Sequence, residues 1–501
     1  MVQSEPMGRR LLFALVAGLV LPFAFAPYGW WPLAGLAPAV LLVLLRGRDA
    51  RQAVRVGWCF GVGMFGHGVW WVQVSVHQFG LPHYAFSVTA TAVLVAFLAL
   101  YPALFAGLTR VLPAPSERYR QLLLAPALWL VCEWLRGWLF SGFPWLSLGY
   151  SQLDAPLAGL APWLGEAGCS LAVLLAAGML AQMIASSWRG RAVLVLALAA
   201  LLGATQLLRG VATTHELKAG LRVALIQGAI PQQLKWALAQ RAHAFALYSE
   251  LSAPHWNADL VVWPETAIPA FADEVPDMIA SLDATARAAH TTLLVGMPTG
   301  QAWSGGRYYN SVVALGLAPG RYDKRHLVPF GEFFPLKALF ENLTKLLSIP
   351  MSDFSAGAIE QPAVRAAGHV VGISICYEDV FAREVMRALP QAAFLVNVSN
   401  DAWFGDTIAP HQHLQIARMR ALESGRYLLR ATNTGITAVI DERGRVVAYA
   451  PQFEPAALVA QFAARGGSTP YVRFGDHPLQ VVLTLAMAAV VLRGRRGKAL
   501  S

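Results

Sequence analysis

Gly372-Ile373-Ser374-Ile375-Cys376-Tyr377-Glu378-Asp379 is the stretch on which the reading of this chain turns. The apolar run from Val370 to Ile375 predicts a buried strand, and Phe381 to Leu389 predicts a helix after it. Cys376 falls between the two. At such a strand-to-helix turn a nucleophile is presented and free backbone N–H groups can hold an oxyanion. Alone, a cysteine after an apolar strand is more often a small buried hydrophobe. Two other stretches change the balance. Asp259-Leu260-Val261-Val262-Trp263-Pro264-Glu265 is a second apolar strand that ends in a carboxylate. Tyr322-Asp323-Lys324-Arg325-His326-Leu327-Val328-Pro329-Phe330-Gly331-Glu332 offers a lysine and another carboxylate. On this pattern a Glu, a Lys and a Cys can converge at the same edge of one sheet.

The surroundings of these stretches are not those of a soluble enzyme. The 501 residues allow two or three domains. They are 56% hydrophobic and 14% charged, against about 25% charged in a soluble domain. The formal net charge is +10, yet residues 211–473 are balanced at 22 Lys+Arg and 22 Asp+Glu. The basic excess therefore lies in the apolar part and the tails. Basic loops beside a bilayer account for it, and nucleic acid is not an expected partner. Four cysteines, Cys59, Cys132, Cys169 and Cys376, form no CxxC or Cys/His cluster. His411-Gln412-His413 does not have the HExxH spacing. Neither a disulfide framework nor a metal site is expected. No GxxxxGK[ST] and no GxGxxG after a strand occurs, so no nucleotide cofactor is expected either.

Eight apolar runs predict membrane spans: residues 11–26, 30–45, 56–76, 85–108, 122–139, 163–186, 192–208 and 478–492. Ala24-Phe25-Ala26 has the form of a signal-peptide cleavage site, but Pro27 follows it and the first run reads as a retained span. Arg9 and Arg10, Arg46 to Arg55, Arg110 to Arg120, and Arg189 with Arg191 occupy every second connection. The alternate connections carry no Lys or Arg. The positive-inside rule then places residues 1–210 as a seven-helix membrane domain and exports residues 211–473. Residues 474–501 become a last span and a basic cytoplasmic tail. Trp30, Trp31, Trp70, Trp71, Trp138, Trp145 and Trp163 gather near the outer ends, as an interfacial belt does. The loop Ser141-Gly142-Phe143-Pro144-Trp145-Leu146-Ser147-Leu148-Gly149-Tyr150 is uncharged and broken by Gly and Pro. Non-helical backbone at that depth needs protein cover or a cavity, and the loop reads as a lipid-binding wall. Glu133 and Arg136 lie near the end of the preceding span, placed to pair or to face a headgroup.

From Arg222 to about Ala464 the pattern changes to strand-length apolar runs alternating with helical stretches. Strands are predicted at 222–227, 260–263, 292–295, 311–315, 370–375, 394–398 and 436–440, and helices at 239–251, 276–289, 381–389 and 412–424. This is one α/β domain of roughly 245 residues, large enough for a substantial core.

Trp263-Pro264-Glu265, the stretch Lys324 to Glu332, and Cys376-Tyr377-Glu378 resemble the three signatures of the nitrilase, or carbon–nitrogen hydrolase, superfamily. With the membrane spans, Leu327-Val328-Pro329-Phe330-Gly331-Glu332 and Ser141-Gly142-Phe143-Pro144-Trp145, the whole chain is similar to the bacterial apolipoprotein N-acyltransferase family. The resemblance implies a polytopic α-helical membrane domain of about eight spans joined to an αββα sandwich. It implies a catalytic set of Glu265, Lys324 and Cys376, with Glu332, Glu378 and Tyr377 in support. Trp236 and Asn310 match family positions near the substrate. Phe333, with the apolar residues after it, and Trp145 are the remaining expected substrate contacts. The implied activity moves an acyl chain from a membrane phospholipid to the amine of a lipidated apolipoprotein through a thioester. The implied place is the bacterial inner membrane, with the catalytic domain periplasmic and the chain a monomer. Two other readings stand beside it: a membrane-tethered amidase releasing a small acid, which needs the same triad, and a non-catalytic lipid-binding scaffold, against which an intact triad argues.

Overall fold

Leu221, Val223 and Leu225 point to one side of their strand, and Ala224 and Ile226 to the other, yet all five are buried. A strand apolar on both faces needs cover on both. The computed structural model supplies it with four layers. It describes residues 6–79, 83–235, 238–301, 306–333 and 353–499. By its internal contacts the chain divides into two units. One comprises residues 1–77, 82–212 and 473–501, and the other residues 78–81 and 213–472.

The second unit is built on two six-stranded sheets. The first holds β1 (Thr214–Gln227), β2 (Leu260–Val262), β3 (Thr292–Gly300), β4 (Tyr308–Gly316) and β5 (Gly320–Asp323). The second holds β6 (Arg365–Ala366), β7 (His369–Ile375), β8 (Phe394–Ser399), β9 (Leu428–Thr432), β10 (Ala438–Ile440) and β11 (Val446–Tyr449). The last strand, β12 (Ala456–Gly467), returns to the first sheet, and the orders are β12-β1-β2-β3-β4-β5 and β11-β10-β9-β8-β7-β6. In each sheet a parallel triplet, β1-β2-β3 or β7-β8-β9, is flanked by antiparallel neighbours. Leu225, Val262, Leu294 and Val312 of one sheet meet Ile375, Phe394, Val396 and Leu429 of the other in a common core. On the outer faces, Ala224, Val261 and Leu293 pack on the helices Leu238–Ser252 and Pro276–Ala288. Leu395, Leu428 and Ala438 pack against Ala417 and Ala421 of the helix Ala409–Ser424. This is the αββα sandwich.

Seven strands are legible in the sequence, and the described residues hold twelve. Three of the missing ones have physical reasons. β9 carries Arg430 in mid-strand, β12 is rich in Ala and Gly, and β6 has two residues. The helix expected at 381–389 is only a turn, Ala382–Val385, continued by a 3-10 turn to Ala388.

Among the described residues of the first unit, five helical stretches are long and apolar enough to cross a membrane: Met7–Ala24, Tyr84–Val111, Pro156–Met183, Trp188–Arg209 and His477–Arg496. The other three expected spans are shorter or broken. Pro32–Leu44 has 13 residues, about 20 Å of helix against the ~30 Å of a hydrocarbon core. The second is split into Ala50–Gly68 and Val72–Phe79, and the third helix, Ala125–Arg136, ends at Gly137. Small residues let the helices Met7–Val20 and Ala50–Gly68 cross closely. A Cβ on Gly18 would fall 2.0 Å from the Phe60 carbonyl oxygen, and one on Gly63 would fall 2.3 Å from that of Leu15.

The loop 141–150 is held by charged side chains from the helices. Arg136 donates to the carbonyls of Phe143 and Trp145 and, at 3.2 Å, to Ser147 Oγ. Glu133 accepts from Trp129 Nε1 and from the Leu148 N–H, both at 2.9 Å. Glu166 accepts from the Gly149 N–H at 3.1 Å and from Ser170 Oγ at 2.7 Å. Irregular backbone in an apolar setting is stable only when its polar groups find such partners. The Trp145 ring is buried, stacked with Phe143 and tilted against Trp71.

Candidate active site

Three strand ends bring the chemistry together. β2 ends in Trp263-Pro264 and delivers Glu265; β5 delivers Lys324; β7 delivers Cys376. Ligand sites in open parallel sheets lie at such carboxyl ends. Glu265 sits where it does because β3 has a glycine beside it. A Cβ at Gly296 would come within 2.3 Å of the Pro264 carbonyl oxygen and 2.7 Å of Glu265 Cα.

Lys324 is 1% exposed. Its Nζ lies 2.8 Å from the Glu332 carboxylate and 3.7 Å from Glu265 Oε1. Asn310 joins the two acids: its Nδ2 donates to Glu265 Oε1 at 2.7 Å and to Glu332 Oε1 at 2.9 Å. The Asn310 carbonyl in turn accepts from the Lys324 N–H at 2.8 Å. Burial works to lower the Lys324 pKa, but the Glu332 and Glu265 carboxylates outweigh it and hold the ammonium well above its ordinary value. The site thus contains a permanent, compact positive charge.

Cys376 adopts φ +51°, in the left-handed region that non-glycine residues seldom occupy. Glu378 braces this turn. Its carboxylate accepts from the Ile375 N–H at 2.8 Å, from the Arg325 N–H at 2.6 Å, and from Tyr322 Oη at 3.0 Å. One buried carboxylate therefore ties the cysteine turn of the second sheet to the lysine turn of the first. Burial raises the Glu378 pKa, while these N–H donors and Lys324 oppose the rise. Burial, reinforced by the charge of Glu265, pushes the Cys376 thiol well up, against the pull of Lys324. A thiol held so high gives up its proton only to a base. The Tyr377 ring lies edge-on to Phe381 at 5.2 Å, outside this acid–lysine cluster.

Behind Cys376 lies an ionic cluster that the sequence does not announce. His413 Nε2 is 2.9 Å from Asp379 Oδ1 and 3.3 Å from the Cys376 carbonyl oxygen, and its Nδ1 is 2.9 Å from Asp401 Oδ1. Arg430 donates to Asp379, Asp401 and Asn397 at 3.1, 3.0 and 2.6 Å. His413 has this structural partner set, and among the described residues no His/Cys/Asp/Glu group fits a metal ion. Burial and Arg430 favour neutral His413, yet Asp379 and Asp401 outweigh them and raise its pKa from 6.5 to about 9. A raised histidine pKa stabilises the fold below the unfolded value and loses that effect as pH rises through the folded one. The thermal midpoint should therefore fall between pH 6.5 and about 9. In His413→Gln this slope should flatten, as differential scanning fluorimetry at fixed ionic strength would record.

Of the other expected contacts, Asn310 belongs to the acid–lysine cluster. Phe333 is half-buried in the turn that carries Glu332, its carbonyl accepting from the Phe330 N–H at 2.8 Å. Trp236 and residues 334–340 lie outside the described residues. Trp145 belongs to the helical unit.

A cysteine, a lysine and two carboxylates at the strand ends of an αββα sandwich define the class: residues 222–471 match the carbon–nitrogen hydrolase family, and the second unit has that fold. Residues 17–179 match the N-terminal domain of apolipoprotein N-acyltransferases. A protein of Methylococcus capsulatus named apolipoprotein N-acyltransferase is 46% identical over 495 residues, covering 98% of each chain. Proteins of the same name from Vibrio cholerae and Nitrosomonas europaea are 43% and 44% identical. The first covers 99% of both chains, and the second 97% of this chain and 98% of its own. The chain belongs to the apolipoprotein N-acyltransferase family, and it is a membrane protein.

Proposed function

We propose that this chain moves a fatty acyl group from a membrane phospholipid to the α-amino group of the diacylglyceryl-cysteine at the N-terminus of apolipoproteins. The observation that carries the reading is the buried Glu265–Lys324–Glu332 cluster beside Cys376 in a chain whose first unit has membrane-length helices.

Glu265 takes the thiol proton, and the sulfur of Cys376 attacks the ester carbonyl carbon. Lys324 and a backbone N–H after Cys376 stabilise the oxyanion. The ester C–O bond breaks, and Glu265 returns the proton to the leaving alkoxide. A lysophospholipid departs and a thioester remains. The amine then attacks the thioester carbon, Glu265 takes the N–H proton, and the C–S bond breaks to regenerate the cysteine. Glu332 orients Lys324, Asn310 holds both carboxylates, and Glu378 holds the turn. No cofactor enters either half. Trp236, Phe333 and Trp145 remain the substrate contacts of this reading.

The basic connections support an inner-membrane chain whose residues 211–473 face the periplasm and whose spans number about eight. One experiment tests activity and sidedness together. Right-side-out membrane vesicles carrying the protein receive a synthetic diacylglyceryl-cysteinyl peptide from outside, with radiolabelled phospholipid in the membrane. The label should appear on the peptide amine. Label released as free fatty acid would favour the tethered-amidase reading, and acylation confined to inside-out vesicles would reverse the topology.

A further inference from the structure

A second lysine points into this site. Lys235 ends the helical turn Gln232–Lys235 and is 2% exposed. Its Nζ donates to the carbonyl oxygen of Glu265 at 3.0 Å, its one hydrogen bond among the described residues. An ammonium has three donors, and two of them are left here in a buried setting. A charge so placed is costly unless other charges compensate it. The groups that face it are the Glu265 carboxylate, at the end of β2, and Cys376, at the end of β7. Behind these stand Lys324 and Glu332, and Asp401 also acts on Cys376.

Without Lys235, the cluster of Glu265, Glu332 and Lys324 carries a net charge of −1, and any thiolate on Cys376 forms against that excess. With Lys235 the sum is zero. Moving the proton from Cys376 to Glu265 leaves it at zero. We propose that Lys235 is the charge-balancing residue of the nucleophile: its ammonium offsets the second carboxylate, so that the Cys376 thiolate forms inside a neutral set. It acts through Glu265 and Cys376 and is a positioning residue for charge. Burial lowers the Lys235 pKa to about 8, with Glu265 and Cys376 opposing. Its charge is therefore present at neutral pH and fades just above it.

The inference rests on the reading of Cys376 as the nucleophile, and its test uses no lipid. The rate of Cys376 alkylation by iodoacetamide is followed against pH, by the mass of the peptide that contains it. Below pH 8 the reactive form, thiolate beside ammonium, rises tenfold per pH unit. Above about 8 the Lys235 proton is lost from the resting state. The reactive form and the resting state then hold the same number of protons, and the wild-type rate levels off. Lys235→Met should react about tenfold more slowly at pH 7, the equivalent of one pKa unit, and should keep rising through pH 8. Lys235→Arg stays charged, so it should keep the pH 7 rate within about threefold and lose the plateau.

A Lys235→Met rate within twofold of wild type, or a wild-type profile with no break near pH 8, overturns the assignment. Should Lys235→Met fail to fold, the wild-type and Lys235→Arg profiles decide the matter. If the profiles behave as expected but phospholipid does not acylate Cys376, the acyl-transfer reading falls while the role of Lys235 stands.

Discussion

Phospholipid alone is expected to leave one fatty acyl mass on Cys376, with no acceptor present. Intact-protein mass spectrometry reads the gain, and neutral hydroxylamine should remove it, as it does a thioester. The expectation follows from the buried thiol and its nearby base, because the two half-reactions need nothing from each other except the acyl-enzyme. Steady-state kinetics should be ping-pong. Cys376→Ser should have no measurable turnover. A hydroxyl is a far weaker acid than a thiol, and the same burial that raises Cys376 would raise a serine alcohol further. Cys59, Cys132 and Cys169 lie in the helical unit, and replacing them should leave the acyl mass in place. Acyl transfer that survives Cys376→Ser, or an acyl mass on another cysteine, would sink the thioester route.

Lys324→Arg should lose about 10²–10³ in the rate of thioester formation, or ~3–4 kcal/mol of barrier, the usual cost of one misplaced oxyanion contact. Charge is conserved in this variant, so a purely electrostatic role would predict little change. Geometry argues otherwise. Lys324 is fully enclosed, with its ammonium held 2.8 Å from Glu332. A planar guanidinium is larger and presents its donors as a fork, so it must displace Asn310 or a carboxylate to fit. Single-turnover mixing of the variant with phospholipid measures the step directly. Near-normal rates would remove Lys324 from the reaction centre.

How far the residues themselves announced this arrangement depends on the distance over which their partners lie. The strands that carry Glu265 and Cys376 are visible because each is a continuous apolar run buried on both faces. Lys324 and Glu332 lie eight residues apart in one turn, and they pair as their proximity suggests. The ionic cluster behind Cys376 is different. Asp379, Asp401, His413 and Arg430 come from four separate elements, and nothing local distinguishes any of them from a surface charge. Arg430 also masks its own strand, since a cation in a central strand breaks the apolar pattern. Lys235 is hidden for the same reason: its burial comes from the Glu265 turn, thirty residues away. In the helical unit, the apolar runs and the helices differ in length. The apolar run at 30–45 is long enough to suggest a span, but Pro32 starts its helix late and the helix stops at Leu44.

Glu265 and Cys376, the proposed base and nucleophile, follow strands of different sheets. Among the described residues no backbone hydrogen-bond ladder joins the two sheets; the space is filled by Leu225, Val262, Ile375, Val398 and their neighbours. The spacing of the two strand ends that carry Glu265 and Cys376 is thus set by the volume of aliphatic side chains interleaved between two pleated surfaces. A methyl group gained or lost in that filling shifts one strand end against the other without touching a charged atom. The inner layer of the sandwich serves as the gauge block of the catalyst, and it offers a way to tune rate while every polar residue stays as it is.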